Sequence, residues 1–113
     1  MNYRGFPLII LKKTKITSIS KVSRKVTSKA ATFILKLKWK KVSGATGYYI
    51  MYKGTEDSTV KQIAKVKGTT KKVKIKIKKS LLNTAGEFFV IPYTDGNSEV
   101  KGQMSDGMRY VFE

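Results

Sequence analysis

The stretch Phe33-Ile34-Leu35-Lys36-Leu37-Lys38-Trp39-Lys40 puts Phe33, Leu35, Leu37 and Trp39 at every second position, with Ile34, Lys36, Lys38 and Lys40 between them. Successive side chains of an extended chain point to opposite faces, so this alternation describes a strand with one apolar side and one mainly cationic side. Lys72-Val73-Lys74-Ile75-Lys76-Ile77-Lys78 repeats the pattern. Two such strands fit an antiparallel sheet that packs one face on a core and gives the other to solvent.

Between them, Gly44-Ala45-Thr46-Gly47 is a turn signal, and the aromatic-rich residues 48–52 follow as a strand apolar on both sides. Residues 60–66 read as a shorter strand closed by Gly68. Residues 88–93 read as another, followed by an Asp95-Gly96 hairpin-type turn, and residues 108–112 as the last. Residues 16–22 make the first strand. Seven strands with no helical stretch longer than a turn predict an all-β, seven-stranded antiparallel sandwich. Its expected core is Phe33, Leu35, Leu37 and Trp39, then Tyr48, Ile50 and Tyr52, then Val73, Ile75 and Ile77, then Phe88 and Val90.

A chain of 113 residues fits one domain and can bury enough surface to fold without a disulfide or metal. It holds no His and no Cys, which excludes Cys/His zinc sites and the His-dependent nucleophiles of hydrolases. Of its 7 carboxylates, Glu56, Asp57, Asp95 and Glu99 fall in expected loops or turns, and Asp95-Gly96-Asn97-Ser98-Glu99 lacks the spacing of a calcium loop. Neither catalysis nor a cofactor is expected. No run reaches the length of a membrane span. Residues 6–11 are too short for a secretory core and lack a cleavage site, so export by the general secretory route is not expected if Met1 is the natural start.

The 24 Lys and Arg against 7 Asp and Glu give a formal charge of +17. Residues 1–55 carry 13 basic and no acidic side chains, whereas residues 80–113 carry 2 basic and 5 acidic ones. Such an excess favours polyanionic partners, provided the fold gathers it on one surface.

Leu37-Lys38-Trp39-Lys40-Lys41-Val42, Gly44-Ala45-Thr46-Gly47-Tyr48-Tyr49-Ile50, Ile63-Ala64-Lys65-Val66-Lys67-Gly68 and Phe88-Phe89-Val90-Ile91-Pro92-Tyr93, in that order and spacing, resemble a fibronectin type III domain of the bacterial form. The resemblance covers nearly the whole chain after residue 15. It implies an A-B-E sheet packed on a C-C′-F-G sheet with Trp39 buried between them. Two positions depart from it. Gly86 stands where the family usually carries a corner tyrosine, and Pro92 falls in a strand that should be central, where a bulge or an early strand end is expected.

Applied to the two sheets, the alternation predicts three surfaces. Lys36, Lys38, Lys40, Lys72, Lys74, Lys76 and Lys78 share the outer face of the A-B-E sheet, as a polyanion-contact face or as a solubilising and edge-protecting one. Tyr49, Met51, Phe89, Ile91 and Tyr93 share the outer face of the other sheet, an apolar group suited to protein contact unless the chain itself covers it. Residues 1–15 form an N-terminal arm ahead of the domain at 16–113. Tyr3, Arg4, Phe6, Leu8 and Ile10 there combine apolar and basic character for docking, with a disordered tail or an added strand as alternatives.

These features predict a non-catalytic structural or binding module. A fibronectin-like unit without a secretion signal suits a bacteriophage virion, as a capsid or tail accessory assembled in the host cytoplasm. Its partners would be protein subunits of the particle, with an anionic cell-wall polymer as a further contact. Two alternatives stay open: a basic protein binding nucleic acid non-specifically, and a spacer from a secreted, cell-surface adhesin or carbohydrate-active enzyme. Arg is scarce, at Arg4, Arg24 and Arg109 only, and no aromatic residue interrupts the lysine ladders, which counts against sequence-reading or base-stacking contacts with nucleic acid.

Overall fold

The computed structural model describes residues 11–96 and 98–113. Eight strands are found there: β1 (Ile16–Val26), β2 (Ala30–Trp39), β3 (Gly47–Lys53), β4 (Lys61–Val66), β5 (Thr70–Lys78), β6 (Ala85–Thr94), β7 (Val100–Lys101) and β8 (Met108–Val111). They form two antiparallel sheets. One runs β1-β2-β5, and the other runs β4-β3-β6, with the far edge of β6 shared by β7 and β8. A single 3-10 turn at Lys79–Leu81 precedes β6. No helix among the described residues is long and apolar enough to cross a membrane.

The alternation of β2 carries through to burial. Ala31, Phe33, Leu35, Leu37 and Trp39 turn inward, and on β5 Val73, Ile75 and Ile77 do the same. From the second sheet Tyr48, Ile50, Tyr52, Phe88 and Val90 meet them, so all the expected core positions lie in one buried cluster between the sheets. Phe112, just past β8, completes it by packing edge-on to Phe33 at 5.1 Å. Trp39 packs edge-on to Tyr48 at 5.7 Å, and the Tyr48 hydroxyl reaches out of the core to accept a hydrogen bond from the Val42 N–H at 2.8 Å. A tyrosine hydroxyl entering a dry interior needs such a partner.

Sequence and structure differ in three places. β1 runs on to Val26, four residues beyond the expected end, and two register shifts interrupt its pairing with β2. Its second half turns Arg24 toward the core edge, where the guanidinium sits 5.9 Å from the Phe33 ring centre. A cation on an exposed edge strand discourages pairing with another chain.

The second difference concerns Pro92. No bulge or early end appears in its strand, since β6 continues to Thr94 and Pro92 pairs with Tyr48 of β3. In an antiparallel ladder the N and C=O of one residue face the same neighbour. The Pro92 carbonyl accepts from the Gly102 N–H at 2.7 Å, so the missing donor faces the β7 side and the ladder to β3 loses nothing. The break falls on the facing chain instead, which pairs as β7, leaves the sheet, and returns as β8. Eight strands replace the expected seven because Val100–Lys101, which the sequence does not mark as a strand, pairs with Thr94 and Tyr93 as β7. Ser105 bridges the gap: its N–H donates to the Val90 carbonyl and its hydroxyl accepts from the Val90 N–H, both at 2.9 Å.

The third is the domain boundary. Leu11 is in the core cluster, its carbonyl accepts from the Gln103 N–H at 3.2 Å, and the Lys40 N–H donates to the Lys15 carbonyl at 3.0 Å. Residues 11–15 therefore belong to the sandwich. Gly86 lies under Tyr52: a Cβ there would sit 2.7 Å from the Tyr52 ring.

Candidate interaction surfaces

The sheet β1-β2-β5 contains ten basic residues and no acidic one. Its register sorts them by face. Ser18, Lys38 and Thr70 form one cross-strand row, Ser20, Lys36 and Lys72 the next, then Ser23, Ile34 and Lys74, then Lys25, Thr32 and Lys76. Lys78 opposite Ala30 ends the series. These side chains face away from the core, because their strand neighbours fill it. Six of the seven lysines expected on this face are there. Lys40 lies past the end of β2, where it lines a groove of about 550 Å³ with Lys13, Lys15 and Lys41. Lys25 takes its place on the face, brought outward by the register shift between Lys21 and Ser23.

Like charges directly opposite one another destabilise a sheet by roughly 0.2–1 kcal/mol per pair. The register keeps this cost small, because Lys36 opposite Lys72 is the single Lys–Lys pair between β2 and β5, the other face lysines lying opposite Ala30, Thr32, Ile34 or Thr70. Only Lys78 of the face has a carboxylate near, that of Glu56 at 3.5 Å with both groups exposed. Serine and threonine hydroxyls occupy most of the remaining positions.

On the opposite sheet, the five residues expected to share a face do share it: Tyr49 pairs with Ile91, Met51 with Phe89, and Tyr93 with Gly47. Their expected exposure is corrected. Tyr49 is 6% exposed and Tyr93 2%, while Met51, Phe89 and Ile91 are half-buried. The cover comes from the flanking strands. Lys65 of β4 lies opposite Tyr49, and its ammonium sits 4.8 Å from the Tyr93 ring centre and 5.3 Å from that of Tyr49. Lys101 of β7 approaches Tyr49 from the other side at 4.7 Å. Lysine stems lying on aromatic rings with the charge over the ring face are an attractive arrangement.

Glu99 ties this cover down. Its carboxylate accepts from the Tyr49 hydroxyl and pairs with Lys65 at 2.9 Å. The Tyr49 hydrogen bond, followed by that of Lys65, holds the Glu99 carboxyl below the usual carboxylate range. The Glu99 hydrogen bond raises the Lys65 ammonium above the ordinary lysine value, with Tyr49 adding to it. Tyr49 is raised as well, by its bond to Glu99 first and by burial second. At the other end of the face Gly107 leans on Phe89, where a Cβ would sit 2.7 Å from the ring.

Tyr3, Arg4, Phe6, Leu8 and Ile10 of the expected docking arm lie outside the described residues. Lys25, Lys65, Glu99 and Lys101 are surface residues that the sequence does not reveal. Lys25 has no strand-like alternation around it, and Glu99 stands in a turn-rich stretch whose partners are set by pairing alone. Among the described residues no group of three or more His, Cys, Asp or Glu side chains comes together. Scanned against protein-family models the chain matches none, and a search of curated proteins returns no match.

Proposed function

We propose that this chain is a non-catalytic interaction module with a fibronectin type III-like sandwich, which holds itself or the protein it belongs to against a polyanionic surface. The division of the strands into β1-β2-β5 and β4-β3-β6 with β7 and β8 supports the family reading, since the same strands share each sheet as in the A-B-E and C-C′-F-G sheets that the resemblance implies, with β4 on the outer side of β3. The β1-β2-β5 sheet carries the functional reading: its outer face gathers Lys25, Lys36, Lys38, Lys72, Lys74, Lys76 and Lys78, and the sheet contains no carboxylate. A surface of one sign attracts the opposite sign over several ångströms and does so less as salt rises. Met51, Phe89 and Ile91 are too little exposed for the broad protein-contact face expected from sequence, so the anionic contact ranks first.

Co-sedimentation at physiological ionic strength tests this reading, with purified cell-wall fragments and intact virions as separate arms. Retention is expected on at least one, lost in high salt and lost when Lys36, Lys38, Lys72, Lys74 and Lys76 are replaced together by Gln. A wild-type protein that stays in the supernatant in both arms sinks the proposal, and the arm that retains it tells a cell-surface role from a virion one.

A further inference from the structure

Resting on that reading, we infer that the ligand of the lysine face is a linear, flexible phosphodiester polymer with short aliphatic spacers between its phosphates, laid along β5 and β2. The first argument is spacing. Lys72, Lys74, Lys76 and Lys78 recur at two-residue intervals on one side of β5, which places their attachment points about 6.8 Å apart. That interval is close to the repeat of an extended chain with three carbons between successive phosphates, which a single nucleic-acid strand shares, so spacing selects a flexible single chain and the rest of the face selects among such chains. A rigid double helix crosses such a row and meets it at one or two places only.

The second argument is what lies between the charges. Ser18, Ser20, Ser23, Thr32 and Thr70 share the face with the lysines. Their hydroxyls can donate to phosphate oxygens and accept from polyol hydroxyls. The third is what the face lacks. Among the described residues its cross-strand rows hold no aromatic ring, and their one large apolar side chain is Ile34, half-buried by its neighbours, with the smaller Val22 exposed at the bulge of β1. Bases have nothing to stack on, and a bilayer has no apolar wedge to receive. Lysine in place of arginine fits the same ligand, because a mobile point charge on a flexible stem follows a flexible chain without demanding forked geometry.

The test uses the full chain and defined poly(glycerol phosphate) oligomers, with glycerol phosphate, single-stranded oligothymidine and duplex DNA as competitors at physiological salt. Affinity should climb with oligomer length up to about the four repeats that span Lys72 to Lys78, then level off. Replacing Lys72, Lys74, Lys76 and Lys78 by Gln should weaken binding roughly tenfold or more and lower the salt dependence by about 0.7 for each phosphate no longer neutralised. Replacing Lys12, Lys29, Lys53 and Lys67, an equal charge outside the face, should change affinity less than about threefold. Equal losses in the two sets overturn the assignment to this face. Tighter binding of oligothymidine or duplex DNA than of the polymer overturns the ligand class and leaves the polyanion reading standing, whereas failure of every polyanion to bind removes both.

Discussion

The hydroxyl end of the Tyr93 ring lies across the backbone of Gly47, its directly paired residue on β3, so closely that a Cβ at position 47 would clash with the hydroxyl and the ring carbon that bears it. An aromatic side chain laid over a cross-strand glycine covers backbone that would otherwise face water. Gly47→Ala should therefore push Tyr93 off its seat and destabilise the fold by about 1–3 kcal/mol. Urea denaturation of Gly47→Ala, Tyr93→Ala and the double variant checks this. The two changes should be clearly non-additive, since the alanine methyl has room once the ring is gone.

Tyr48→Phe leaves the ring and its contact with Trp39 in place but strips the Val42 N–H of its acceptor. The same loss follows at Val90 in Ser105→Ala, whose hydroxyl accepts from the Val90 N–H. Each change strands a buried donor and should cost about 1–3 kcal/mol. Equal urea midpoints for wild type and Tyr48→Phe would show that the hydroxyl does not anchor the loop after β2.

Lys36 and Lys72 face each other across β2 and β5, the one position where the cationic face opposes itself directly. Lys72→Glu converts this pair to an attractive one and should stabilise the sandwich by about 0.2–1 kcal/mol while weakening adhesion to polyanions. A rise in melting temperature together with faster elution from an anionic column is the expected result. A variant that melts lower than wild type would show that the lysine array carries no self-repulsion.

Acid should loosen the cover over Tyr49. The Glu99 carboxyl is depressed in the folded protein, so its contribution to stability is complete above its unfolded value and disappears as pH falls through the folded one. Lys65 is raised, so its share persists below its unfolded value and is lost only on strongly alkaline titration. Urea midpoints measured across the acid range should fall less steeply for Glu99→Gln than for wild type. Superimposable acid limbs would rule out this role for Glu99.

β2 and β5 were legible from sequence because each has one dry side and one wet side, so burial writes its period directly into the residues. The same holds for the inward positions of β3 and β6, where large apolar residues leave little choice. The end of β1 was not legible. It is an edge with solvent on both sides, and nothing selects its residues by face, so Lys25 could not be assigned to a surface. The exposure of Tyr49 and Tyr93 depended on register: only the pairing of β4 and β7 with their neighbours places Lys65 and Lys101 over the two rings. The Pro92 expectation failed for a similar reason. Whether a missing donor matters is decided by which neighbour it faces, and side-chain alternation is silent on that.

The row Lys72, Lys74, Lys76, Lys78 returns to itself after every two residues. A chain of evenly spaced charges lying along it meets the same partners at several offsets, so no single alignment is favoured over the next. Such a bound state is a family of equivalent positions, and that multiplicity is itself a source of entropy. The polymer can creep along the strand one repeat at a time, never fully released and never fixed. A surface of this kind grips without choosing where.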